Sequence, residues 1–168
     1  MSISMYQASA PVFDRSLENL AAILGKAAAW AEARKIDPAV LLSARLAPDM
    51  FALARQIQIT CDFAKGTCAR LAGVEPPKFE DKEVSFDDFQ ARIARTRQFV
   101  ATLTAAQIDG SESRQISFKA GSREMSFKGL AYLTGYALPN FFFHYTTAYD
   151  ILRHNGLELK KADFIGSV

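Results

Sequence analysis

Apolar side chains alternately three and four residues apart recur along four stretches of this chain. That spacing stacks one face of a helix, so the chain must fold as helices sharing a core. The last stretch carries Leu130, Leu133, Ala137, Phe141, His144, Ala148 and Ile151 on one seam. His144 is the polar side chain among them and the best functional lead. An earlier seam holds Ala10, Phe13, Leu17, Leu20, Leu24, Ala27 and Ala31; the next holds Met50, Leu53, Ile57, Cys61, Ala64, Cys68 and Leu71. Phe86, Phe89, Ile93, Thr96, Val100 and Leu103 form the remaining seam.

Local punctuation sets the boundaries. Ser4 and Ser9 are alternative starts for a helix ending near Arg34, with Pro11 either kinking it or lying in its first turn. Asp37 before Pro38 opens a short helix through Ala44, and Pro48 with Asp49 opens the second long helix, which Gly73 stops. One flank of that helix carries Gln56, Thr60, Phe63 and Thr67. The other, with Arg55, Gln58, Asp62 and Lys65, reads as a solvated face. Prolines and charges make 74–85 a loop, and Ser85 with Asp88 caps the third long helix. Thr104 and Gln107 cap one further turn. Ile116, Phe118, Met125 and Phe127 then alternate as a hairpin does. Ser126 is the expected cap of the last helix, which ends at Asn155-Gly156. An irregular tail from Leu157 to Val168 follows, pinned by Leu159, Phe164 and Ile165. The expected fold is all-α: a single domain over 1–168, an up-and-down four-helix bundle with a small β-hairpin before the last helix.

Composition narrows the function classes. The 168 residues suffice for one core, and a net charge of +2 with scattered basic residues offers no nucleic-acid footprint. No apolar run reaches the ~18 residues of a membrane span, and the amino terminus lacks a signal-peptide pattern. Cys61 and Cys68 lie seven residues apart on one helix, so their Cα atoms are roughly 10 Å apart and cannot bridge. Two buried structural thiols fit a reducing cytoplasm.

Few constellations carry chemistry. Thr60, Thr146 or Thr147 could be set beside His144 and Asp62 as a nucleophile, base and acid, but no strained nucleophile turn accompanies them. Glycine-rich phosphate loops are absent from the sequence. His144 needs hydrogen-bond partners if buried, and Asn140, Thr147 and Gln56 are the nearest at helical spacing or across the core. If its role is only structural, His144→Leu should be close to neutral. We read these four residues as the lining of a small-molecule pocket, with no cofactor assigned. Phe141, Phe142, Phe143, Tyr145 and Tyr149 surround the last helix with more aromatic surface than one seam needs, which points to a homodimer.

The order of three long helices, an insertion, a hairpin and a last helix carries particular wording: Ala47-Pro-Asp-Met50, Cys61-Asp-Phe-Ala-Lys-Gly66 and Leu138-Pro-Asn-Phe-Phe-Phe-His-Tyr-Thr-Thr-Ala-Tyr-Asp-Ile-Leu-Arg-His154. In these residues the whole chain resembles the DinB/YfiT-like helical-bundle superfamily, within it a branch known only as a domain of unknown function. The resemblance implies a divalent-metal centre of three histidines, one from the second long helix and a His-x-x-x-His pair from the last. It also implies, as the alternative activity, a metal- or thiol-cofactor-dependent transferase or hydrolase. The sequence departs from that pattern. His144 matches the first histidine of the pair, but Ala148 stands four residues later. Gln56 or Gln58 occupies the region of the second-helix ligand, and amides are weak ligands. His154, ten residues from His144, turns to nearly the opposite side of the helix, and Asp62 is out of phase. No metal is therefore expected.

Overall fold

The computed structural model describes residues 2–166. Helix α1 (Ala10–Ala33) begins with Pro11 in its first turn, so the proline's missing N–H leaves no gap in the ladder. Asp37 caps α2 (Pro38–Ser43) through the Ala39 N–H at 2.9 Å. Pro48 and Asp49 do not open a helix. They close a turn in which the Met50 N–H reaches the Ala47 carbonyl, and α3 runs only from Leu53 to Ala72. Met50 is accordingly off the seam. Gly73 ends α3 in the left-handed conformation that the stop requires, at φ 73°.

Helix α4 (Phe86–Ala101) starts with a full capping box between Ser85 and Asp88, and α5 (Ala105–Ile108) with one between Thr104 and Gln107. Strands β1 (Gln115–Ala120) and β2 (Arg123–Lys128) pair antiparallel, with Ile116 opposite Phe127 and Phe118 opposite Met125. Ser126 stays in β2, where its hydroxyl meets Gln115 and Ser117. Lys128, not Ser126, occupies the cap position of α6 (Gly129–Tyr132).

The last helical run is not continuous. A π-helical turn over Leu133–Ala137 separates α6 from α7 (Leu138–His154). One extra residue in that turn shifts the phase, so Leu130 leaves the predicted seam and is exposed while Tyr132 is fully buried. The tail is not irregular throughout. Helix α8 (Lys161–Ile165) lies against α1, and Phe164 stacks on Tyr145 at 4.1 Å while Ile165 stays exposed. Residues 167 and 168 of the expected tail lie outside the described residues.

The protein is thus mostly helical, with a two-stranded hairpin before the last helices. Helix α3 is the shared wall, packed on α4 along one side and on α7 along the other. Its seam residues Leu53, Ile57, Cys61, Ala64, Cys68 and Leu71 are all fully buried. Burial pushes the Cys61 and Cys68 thiols up to about 12, so neither is a ready nucleophile. No helix among the described residues is long and apolar enough to cross a membrane.

Candidate functional site

Two flanks of α3 carry the polar chemistry. The flank facing α4 is not the solvated face its composition suggests, since Gln58 and Lys65 are buried there. The 74–85 segment folds back over it as a strap, drawn by Arg92, whose side chain has no exposed surface. Its guanidinium meets Glu83 at 2.9 Å, Asp81 at 3.0 Å and Asp62 at 3.0 Å. Lys65 also pairs with Asp62, Arg55 with Asp81, and the Gln58 amide donates to Glu83. Burial alone would raise the Glu83 carboxyl, but its hydrogen bonds from Arg92 and Gln58 outweigh that and hold it below the ordinary value. Every one of these charges has a partner of opposite sign, so the cluster clamps the strap. Arg92 was legible in principle: with Phe89 and Thr96 it keeps the three-and-four spacing of a core position. The wide depression of about 510 Å³ between the strap and α4 is walled, apart from Glu83, by exposed charges of both signs such as Lys78, Glu80, Lys82 and Arg95.

The flank facing α7 holds the predicted residues. His144 Nδ1 lies 2.7 Å from Gln56 Oε1, and the Gln56 amide nitrogen donates to the Phe51 carbonyl at 3.1 Å. Because that second bond orients the amide, its oxygen faces the imidazole and Nδ1 carries the proton. Nε2 is left as the basic nitrogen. Asn140 and Thr147 do not join the pair. The Asn140 amide donates to the Tyr136 carbonyl, in the π-helical turn, and the Thr147 hydroxyl to the Phe143 carbonyl, each four residues back along the chain. Phe63 stacks on His144 at 6.0 Å, and Phe143 meets it edge-on at 5.2 Å. Gln56 is itself buried, so His144→Leu would strand its amide oxygen. That substitution costs ~1–3 kcal/mol rather than being neutral.

Burial, and secondarily the nearby Arg55 charge, lowers the His144 pKa below its ordinary 6.5. The unfolded chain therefore binds a proton at a pH where the folded one does not. The contribution of this group is complete above about pH 6.5 and declines as the pH falls toward its folded value. We expect an NMR titration of the His144 ring to show a midpoint below 6.5. A midpoint at or above 6.5 would contradict the enclosure described here.

From Phe63 the aromatic wall continues away from His144. Phe63 meets Tyr136 at 5.8 Å, and Tyr136 meets Phe118 at 5.6 Å and Phe127 at 5.3 Å. Phe63, Phe118 and Tyr136, together with Tyr132 and Arg70, bound a cleft of about 150 Å³ between α3, the hairpin and the π-helical turn. The Tyr132 hydroxyl is held by Arg70 at 3.2 Å and lies 3.4 Å from the Thr67 hydroxyl. Burial, with Tyr132 alongside, raises the Tyr136 phenol above its ordinary value, so it remains protonated. The hairpin brings Phe118 here from far along the chain, which explains why sequence spacing did not reveal the cleft.

The trihistidine metal centre implied by the resemblance does not fit these residues. Ala148 is fully buried and has no donor, and the Gln56 oxygen already accepts from His144. Among the described residues no three His, Cys, Asp or Glu side chains converge as a metal site.

The comparisons agree with this architecture. A solved structure of a DinB family member protein from Shewanella denitrificans is 38% identical and superposes with a TM-score of 0.87, covering 97% of this chain and 92% of that one. Among curated proteins none matches the chain. The model of the domain of unknown function DUF1993 matches residues 5–165. The chain belongs to the DUF1993 family.

Proposed function

We propose that this protein is a small-molecule-binding module built on a DinB-like four-helix bundle, working in the cytoplasm, with its pocket along the α3–α7 groove beside His144. The observation that carries the reading is the oriented His144–Gln56 pair. An imidazole whose tautomer is set by a buried amide presents Nε2 as a fixed acceptor, next to a wall of aromatic rings. Pockets are mostly apolar with a few placed polar groups, and the rings of Phe63 and Phe143 around the His144–Gln56 pair match that composition. A π-helical turn at its edge supports the reading, since such turns frequently mark functional sites. The test is a fragment screen by thermal shift, followed by mapping of amide shifts. Ligands should perturb Gln56, Phe63, Tyr136 and His144 together, and His144→Leu should abolish the thermal response. Hits that map elsewhere, or that raise the melting temperature of His144→Leu equally, would overturn the assignment.

A second reading has its own observation. Phe51 and Phe143 are each 57% exposed, and each touches the Gln56–His144 pair, Phe51 through its carbonyl and Phe143 through its ring. Large apolar side chains clustered at the surface favour an interface, and a second copy of the chain would cover both rings. We expect light scattering at micromolar concentration to give a dimer mass that Phe143→Ser reduces. A monomer mass for the unaltered protein refutes this reading.

A further inference from the structure

The geometry points to a small monocyclic carboxylate as the ligand of the cleft between α3, the hairpin and the π-helical turn. This inference rests on the binding reading above and names the ligand class. The volume comes first: an apolar cavity of about 150 Å³ holds one benzene ring, and this cleft has that size. Its walls are ring faces and edges of Phe63, Phe118 and Tyr136, which suit a planar ring.

The charge comes next. The Arg70 guanidinium lies over the Phe118 ring at 4.5 Å and donates to the Tyr132 hydroxyl. Among the described residues no carboxylate lies within 4.0 Å of it, although most other buried or half-buried cations here are paired. Arg70 is set in place by its surroundings. Gly66, one turn earlier, leaves room for the guanidinium, since a Cβ there would stand 2.6 Å from Nη1. Lys119 adds a second cation at the rim. The acidic group in the cleft wall, Asp62, is already neutralised by Lys65 and Arg92, each at 3.0 Å. The cleft therefore has an unanswered positive charge beside an aromatic slot. A guanidinium fork answers a carboxylate with two parallel hydrogen bonds, and a neutral ligand leaves it unanswered.

Benzoate, benzamide and acetate are the probes, titrated into the full-length protein while amide shifts are recorded. Benzoate should give saturable shifts at Phe63, Phe118 and Tyr136, with benzamide and acetate each at least tenfold weaker. Arg70→Gln, which keeps a polar side chain but removes the charge, should weaken benzoate at least tenfold and leave benzamide unchanged. Arg70→Lys should restore only part of that loss, because it returns the charge without the fork. Equal binding of benzoate and benzamide, indifferent to Arg70→Gln, would overturn the carboxylate while leaving the groove as a binding site. Acetate equal to benzoate would overturn the ring. Benzoate shifts confined to the strap, or none up to millimolar concentration, would overturn the inference. The groove itself falls only if the wider fragment screen is also silent at His144 and Gln56.

Discussion

Arg92→Met should lower the stability of this protein by about 3–5 kcal/mol, the largest effect expected of any single change of charge in the chain, because the guanidinium is fully buried. The magnitude follows from what remains behind. The Glu83 side chain is 6% exposed, whereas Asp81 and Asp62 are 41% and 38% exposed and can turn to water. Removing the guanidinium strands the buried Glu83 carboxylate and frees the 74–85 strap. The paired change Arg92→Met with Glu83→Gln should recover most of the loss, since no buried charge is then unanswered. Urea unfolding of the four proteins of this cycle measures both quantities. A loss below 1 kcal/mol for Arg92→Met, or no recovery in the pair, would show that the strap is held by something else. Acid should weaken the same clamp. The Glu83 carboxyl titrates below its ordinary 4.5, so its contribution is complete above that pH and is lost as the pH falls through its folded value.

Gly129→Ala should also be severely destabilising, at or above the upper end of the 1–3 kcal/mol usual for overpacking. Its backbone conformation is not the reason, since its φ is negative. A Cβ at this position would overlap the carbonyl oxygen of Ser111, which is backbone and cannot swing aside. The facing segment is also pinned: the Leu130 N–H donates to the Glu112 carbonyl, and the Arg114 N–H to the Ser111 carbonyl. Gly135, in the π-helical turn, is the matched control because no atom lies within 4 Å of its would-be Cβ. Gly135→Ala should leave stability unchanged or raise it by about 0.5–1 kcal/mol. Thermal unfolding of the two variants side by side is sufficient. Equal melting temperatures would mean that the close approach of 111 to 129 is not obligatory.

The parts of this structure that could be read from the sequence are those determined within one or two turns. Ser85 with Asp88, Thr104 with Gln107, Asp37 before Pro38 and Gly73 all act on neighbouring backbone groups, and each does what its spacing implies. Seam positions were legible for the same reason, wherever the helix kept one period. Three features escaped. The fate of the α3 flank with Gln58 and Lys65 depends on a strap more than twenty residues away, and nothing in a mixed-charge segment says which cation will draw it in. The π-helical turn changes the phase of the last helix; Gly135 inside it, and Pro139 just after it with no N–H for the Gly135 carbonyl, mark a break in the ladder but not the direction of the phase shift. Ser126 has a cap's chemistry but pairs across the hairpin instead, because strand register overrode local preference. At the candidate site, the link between His144 and Gln56 could be anticipated from one seam facing the flank of another helix. Arg70, Tyr132 and Tyr136 could not, since their neighbourhood is made by the hairpin.

The additional residue in the π-helical turn leaves the last helical run with two settings along one axis. A straight α-helix of that length would be a rigid shaft, turning as a piece by about 100° for each residue of slippage. Here the turn acts as a fixed coupling between two shafts set at different angles. The hairpin-side shaft aims Tyr132 at α3 near Arg70, and the far shaft aims His144 at Gln56, at the other end of the same wall. Each shaft can thus be matched to its own stretch of α3. The aromatic slot and the imidazole are consequently set by different stretches of the run and meet only across Phe63, which touches both Tyr136 and His144.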